Sequence, residues 1–427
     1  MGLSMARRLA AAAVLTALLA LGTAGGQTAR RPKIARLSYG DYLVRGPELS
    51  SKAGIEASFR KMREAGFTDI YWRMLTEGHP LDGVEVYPHP MLEEAFRARK
   101  ELEGTPWAWD PHEIRWPIDV AHKLGMKFYA SIVIYNERAP IEAWLASGEP
   151  TDDLKFRAGT FKSVGDAYRS KFLLAHPEYQ LVDRTGKRYH WGVIEWAYPE
   201  ARQYWLRDLQ LILDRYDVDG IYLDTRTECM SPDFADQFGF NEPVVREFQK
   251  RYGVNILEED FDLEAWRGLR GEYFTQLLRE MSLAIHAKGK RFSLGTARGD
   301  YIGFPLGNMK LEWRKWIAEK LIDELHLDEH GWGWGRQGYG YVADFATGRG
   351  LRPLDVMIRE DYSPLCRKHG VKLYFRCNPY KVRPPSEACC NGRASLQGIK
   401  TPADYCERMS ALPEVDGTIE KPAVQPW

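Results

Sequence analysis

The sequence predicts an α/β protein, a (β/α)8 TIM barrel, on three observations. A helix–glycine–strand unit recurs along the chain, eight candidate strands alternate with helical patterns, and the segments after strands are far longer than those before them. Strands that alternate with helices imply a parallel sheet, and eight of them suggest closure into a barrel.

The recurring unit occupies Ala65–Trp72, Leu124–Ser131, Lys288–Gly295 and His369–Arg376. In each, a helix-like stretch meets a glycine at the place where a left-handed C-terminal residue is needed, and a β-prone apolar run follows. Four more strands, Ile34–Tyr39, Val218–Asp224, Ile322–Asp328 and Val415–Glu420, complete the set. Apolar residues spaced by three and four predict helices over Gly54–Ala65, Glu113–Leu124, Glu200–Tyr216, Glu272–Lys288, Lys310–Leu321, Leu354–Lys368 and Ala403–Leu412. Leu75–Pro111, Asn136–Pro199 and Thr225–Gly271 are long strand-to-helix segments, the kind that build the functional face of a barrel. An eighth helix is missing from this plan, since only a short tail follows Glu420. An open doubly wound sheet would share the alternation, but Ser38-Tyr39-Gly40-Asp41 after the first strand does not fit a dinucleotide fingerprint.

Arg7 and Arg8, an apolar run Leu9–Leu21 and small residues through Gly26 read as a secretory signal peptide, with cleavage expected after Ala24. Residues 25–427 then form a single barrel domain, secreted or periplasmic, and no later segment is suited to span a membrane. Lys+Arg and Asp+Glu balance at 59 each, so no net field favours nucleic acid or an anionic surface. With 14 Trp and 22 Tyr, the chain suits a flat uncharged ligand such as a sugar. Cys366, Cys377, Cys389, Cys390 and Cys406 cluster near the C-terminus, where an oxidising compartment allows disulfides; Cys229 stands apart.

Alternation along the fourth strand sends Ile221 and Leu223 outward and Tyr222, Asp224 and Arg226 inward. Asp224 is therefore expected at the barrel mouth, where such folds place catalytic groups, with a nearby arginine to keep it ionised. The plainer reading is an Asp–Arg pair that closes the strand end. Glycoside hydrolysis commonly uses a second carboxylate. On the sixth strand Glu324, His326 and Asp328 face inward. Asp328 is the first choice of proton donor, followed by Glu329 and Glu228, with Glu420 a further mouth carboxylate and Glu324 deeper and structural. His326, Asp328 and His330 share alternate positions that could hold a metal, yet no third ligand region accompanies them, so no metal or cofactor is expected.

Further mouth positions suit sugar hydroxyls or a substrate carboxylate: Arg73, Tyr135, Asn136, Arg298, Arg376 and Asn378. Trp107, Trp109, Trp191, Trp196, Trp332 and Trp334 lie in the long segments, where loop packing competes with ring stacking. Gly331-Trp332-Gly333-Trp334-Gly335 is the best platform because its glycines cover little of the rings.

His176–Tyr179, Asp183–Lys187, Ala197–Arg202, Tyr216–Asp224, Phe238–Pro243 and Phe248–Val254 together resemble the family-10-like glycosylhydrolases, exported bacterial proteins related to the α-amylase-like barrels. The resemblance covers roughly Ala175–Asn255. It implies a (β/α)8 fold, action on a polysaccharide or cell-wall glycan, Asp224 as catalytic carboxylate and Arg226 as its neighbour. Thr225 stands where relatives often carry an aromatic residue, and Thr227-Glu228-Cys229 replaces their Tyr-Pro, which draws attention to Glu228. The combined expectation is a retaining glycoside hydrolase with Asp224 as nucleophile and Asp328 as acid/base; the competing one is a non-catalytic glycan-binding barrel.

Overall fold

The four glycines of the recurring unit decide the joints of the fold. Gly66, Gly125, Gly289 and Gly370 have φ of 89°, 67°, 65° and 71°, a left-handed backbone that a side chain would strain. Each ends a helix and turns the chain into a strand. The structure, a computed structural model, describes residues 31–37, 49, 52–74, 78–86, 114–135, 137, 168–225, 234, 236–302, 309–328, 354–377 and 402–420. The expected signal peptide over residues 1–24 lies outside them. Met1–Pro32 separates from the unit Lys33–Trp427.

Eight parallel strands close the barrel in chain order. They are β1 (Lys33–Leu37), β2 (Asp69–Arg73), β3 (Lys127–Val133), β4 (Gly220–Asp224), β5 (Arg291–Ala297), β6 (Glu324–Asp328), β7 (Lys372–Cys377) and β8 (Gly417–Glu420). The last pairs with the first through Lys33↔Thr418 and Ile34↔Ile419, so no edge remains. All eight expected strands are present. The residues after β8 lie outside the described ones, as does any test of a missing eighth helix.

Helices α1 (Lys52–Glu64), α2 (Arg115–Lys123), α3 (Pro199–Arg215), α4 (Leu263–Ala287), α5 (Trp313–Ala318), α6 (Leu354–His369, with a π-helical turn at Ile358–Tyr362) and α7 (Pro402–Ser410) fall in the seven intervals between strands. α4 begins earlier than its apolar spacing suggests. The Asp262 carboxylate accepts from the backbone N–H groups of Glu264 (2.9 Å) and Ala265 (3.1 Å), which caps the helix there. The sequence reading did not anticipate the helix Glu242–Tyr252, the antiparallel hairpin Gln180–Val182 with Tyr189–Ile194, the antiparallel pair Val84–Val86 with Tyr168–Ser170, or the short helix Lys171–Ala175. No helix among the described residues is long and apolar enough to cross a membrane.

Strand alternation divides the buried side chains into two sets. Ile70, Trp72, Phe128, Ala130, Ile221, Leu223, Leu325 and Leu327 face the helices in the main core. Ile34, Tyr71, Tyr129, Tyr222, Tyr374 and Ile419 fill the lumen. At about 1.5–3 kcal/mol for each large apolar side chain removed from water, the helix-side layer holds the barrel closed. The lumen is packed just as closely: a Cβ on Gly295 would lie 2.1 Å from the Tyr222 hydroxyl. Ala197, Phe240, Val244, Phe248, Ile256, Trp266 and Leu269 form a separate cluster under the Glu242–Tyr252 helix.

Candidate functional site

The lumen holds a buried polar network beneath its mouth. Glu324 on β6 accepts hydrogen bonds from the hydroxyls of Tyr71 (2.9 Å) and Tyr129 (3.2 Å), and pairs with Arg291 Nε at 3.1 Å. Burial by itself would push this carboxyl up, but His326, Arg291 and Tyr71 outweigh it and hold the carboxyl below its usual value. One turn of the pleat higher, the His326 ring stacks on Tyr374 with centroids 4.6 Å apart, and its Nε2 lies 2.6 Å from Ser293 Oγ. Burial dominates there and lowers the imidazole pKa, against the pull of the nearby Glu324 and Asp224. Glu324 is thus the deep structural carboxylate that alternation predicts.

Asp224 ends β4 with its side chain in the lumen, as expected from Ile221 and Leu223 facing the helices. It is 3% exposed. Arg36 on β1 donates through Nη2 to Oδ2 at 2.7 Å, and Arg376 on β7 stands 3.4 Å from the same oxygen through Nη1. β1 and β7 each lie three places from β4 around the barrel. Both arginines therefore reach the carboxylate across the lumen, from the wall that faces β4. Arg376 was expected at the mouth. Arg36 was not singled out, although Ile34 and Arg36 alternate with Ala35 and Leu37 as inward residues should.

The remaining expected positions divide by location. Tyr222 lies in the lumen below Asp224, against Tyr71 at 4.8 Å between ring centroids. Arg73 ends β2 and Arg298 follows β5, both buried. Asp328 is the last residue of β6, opposite Arg376 on β7 and Ala297 on β5 in register. Tyr135 departs from the expectation. β3 ends at Val133, alternation lapses, and Tyr135 joins the helix-side core against Trp196 and Phe274, its hydroxyl 3.8 Å from Met309 Sδ. Glu420 departs too. It shares the outward parity of Thr418 and pairs with Lys33 at 3.3 Å, away from the lumen cluster. Asn136, Arg226, Glu228, Glu329, His330, Trp332, Trp334 and Asn378 lie outside the described residues, as do Trp107 and Trp109. Trp196 is buried, which matches loop packing rather than an open platform. Among the described residues no group of three or more His, Cys, Asp or Glu side chains is arranged to hold a metal ion.

Two buried clusters on the strand-to-helix side went unnoticed in the sequence. His79 bridges two carboxylates, with Nδ1 2.6 Å from Asp208 Oδ2 and Nε2 2.9 Å from Glu137 Oε2, while Trp205 Nε1 donates to Glu137 at 2.7 Å. Burial opposes charge on this ring, yet Glu137 and Asp208 prevail and raise its pKa to about 10. The second cluster is centred on Glu195, which is 3% exposed and whose carboxyl is pushed up by burial against the opposing influence of Arg270. Neither cluster belongs to a periodic pattern. An isolated acidic residue between apolar neighbours, as in Val193-Ile194-Glu195-Trp196, was the available signal for the second.

A family model described as Glycosyl hydrolase-like 10 matches residues 160–329, a span that includes Glu195, Asp224 and Asp328. The match bears out the resemblance to family-10-like glycosylhydrolases read from the sequence. No curated protein matches the chain. Among solved structures, the chain is similar to a β-galactosidase from the psychrophilic Marinomonas ef1, with 12% identity over 82% of this chain and 48% of that one, TM-score 0.45. It thus spans about half of that enzyme's length. The catalytic domain of a β-amylase from Paenibacillus polymyxa is similar at 9% identity over 91% of both chains, TM-score 0.46. An exo-β-N-acetylglucosaminidase from Vibrio harveyi gives 10% identity over 92% of this chain and 50% of that one, TM-score 0.40.

Proposed function

We propose that this chain is an exported glycoside hydrolase that acts on a polysaccharide or cell-wall glycan with retention of configuration. Asp224 is the nucleophile and Asp328 the acid/base. The observation that carries the reading is Asp224 itself, an inward carboxylate at the C-terminal end of a barrel strand, faced by Arg36 and Arg376. That is where barrel enzymes place their reacting groups, and the glycosyl hydrolase-like match spans it. Asp328 ends the alternate strand β6, on the same face of the barrel. In the first step Asp224 attacks the anomeric carbon while Asp328 gives its proton to the leaving oxygen. Water, deprotonated by Asp328, then releases the sugar. The arginines orient the nucleophile and oppose its charge. The disulfide at Cys406 supports export, since such bonds persist in oxidising compartments.

The burial of Asp224 between two guanidiniums favours a second reading, in which the triad closes the barrel and the protein binds glycan without turnover. A screen of the purified protein on diverse glycans with reducing-end detection separates the two. Release of reducing ends that Asp224→Asn abolishes, with glycan binding intact, supports the enzyme. Binding without release from any glycan supports the second reading. Proton NMR of the first-formed anomer then tests retention directly.

A further inference from the structure

Arg270, in the first half of α4, is 4% exposed and forms no ion pair or hydrogen bond with another described residue. Its guanidinium stacks on the Trp266 ring at 4.8 Å. On its other side runs the backbone of Gly239, where a Cβ would stand 2.3 Å from Arg270 Nε. The side chain is therefore held in one place, with Nε and Nη1 both buried and without acceptors. A buried arginine left so is costly, because desolvation is not offset by any bond.

Arg270 lines a small cavity with Glu195, Trp196, Tyr135, Leu181, Ile194 and Met309. One other wall atom also lacks a partner, Glu195 Oε2, while Glu195 Oε1 accepts from the backbone N–H of Ala197 at 3.1 Å and the Trp196 side chain is directed at the Tyr135 hydroxyl. Unmatched donors thus outnumber the one unmatched acceptor. We propose that this cavity is a binding site for a single small inorganic anion of the chloride class, held by Arg270 with Glu195 and Trp196 beside it. The occupant must accept hydrogen bonds, must be small because the other walls are apolar, and must offset a positive charge that no described carboxylate meets within contact distance. Burial raises the Glu195 carboxyl pKa against the pull of Arg270, so this side chain holds its proton more tightly beside the anion. A lone water would satisfy the donors but would bring no negative charge to the buried guanidinium.

This inference does not depend on the proposed hydrolysis. The test measures thermal unfolding of the full chain in sodium chloride and in sodium gluconate at matched ionic strength. Chloride is expected to raise the midpoint saturably and gluconate to lack that effect. Arg270→Gln is expected to weaken the chloride response by at least about tenfold, in keeping with loss of a charge-assisted bond. Glu195→Gln, which keeps a donor, is expected to retain it. Should Arg270→Gln not fold, a bromide-soaked crystal of the unaltered protein decides: an anomalous peak beside Arg270 supports the site. Equal responses to both salts, or a water without anomalous signal at that place, would overturn it.

Discussion

Replacing His79 with leucine probes how the long segments are anchored to the barrel. The ring is 5% exposed and joins residues from three places: the segment after β2, Glu137 after β3, and Asp208 on α3. Burial works against its charge, but the two carboxylates hold its pKa at about 10, against an ordinary 6.5. Because the folded value is the higher one, the stabilisation is complete below about pH 6.5 and is lost as pH rises through about 10. The gap of about 3.5, at 1.36 kcal/mol for each tenfold step, gives on the order of 5 kcal/mol. Independently, removing the cation from a buried pair costs about 3–5 kcal/mol. Urea unfolding of both proteins, followed by tryptophan fluorescence from about pH 6 to pH 10, should show His79→Leu less stable by that amount at the acid end. The difference should shrink steadily toward the alkaline end. A loss under about 1 kcal/mol, or one that is constant across the range, would refute the bridged-cation account.

Asp69 at the start of β2 gives a second pH signature. Burial raises its carboxyl pKa to about 6 from 3.8, although Thr68 and Lys127 pull the other way. The folded state holds this proton more tightly, so stability falls as pH rises from about 4 through about 6, by on the order of 3 kcal/mol. Asp69→Asn should lack that fall, and parallel denaturation profiles for the two proteins over this range would contradict it. Gly295→Ala forces a methyl group against the Tyr222 hydroxyl in the closed lumen and should cost about 1–3 kcal/mol. Tyr222→Phe in the same chain should recover part of that loss, and calorimetry showing no recovery would place the clash elsewhere.

Local pattern carried the barrel because its signals are local. Each of the eight strands is a β-prone run, and four are announced by a glycine whose left-handed φ no other residue takes cheaply. Alternation also placed Tyr222 and Asp224 of β4, and Glu324 and His326 of β6, in the lumen. It lapsed at Tyr135, two residues past the end of β3, whereas Glu420 obeys it and faces outward with Thr418. The strands of three residues, such as Gln180–Val182, are too short for a two-residue period to register. The partners of Asp224 were half legible: Arg376 stood out at a strand end, while Arg36 lies 188 positions away on the first strand. Such long-range pairings, like those of His79 and Glu195, depend on how distant segments pack and leave no periodic trace.

In the proposed function the Asp224 carboxylate performs the chemistry rather than merely closing the barrel. The direct measurement is the rate of reducing-end release by the unaltered protein and by Asp224→Asn, on the glycan that the screen identifies, with folding of the variant verified by circular dichroism. A fall of about 10⁴-fold or more with glycan affinity retained is the predicted result, the pattern of an interaction made only in the transition state. Equal rates in a folded variant would remove Asp224 from the mechanism and contradict the claim.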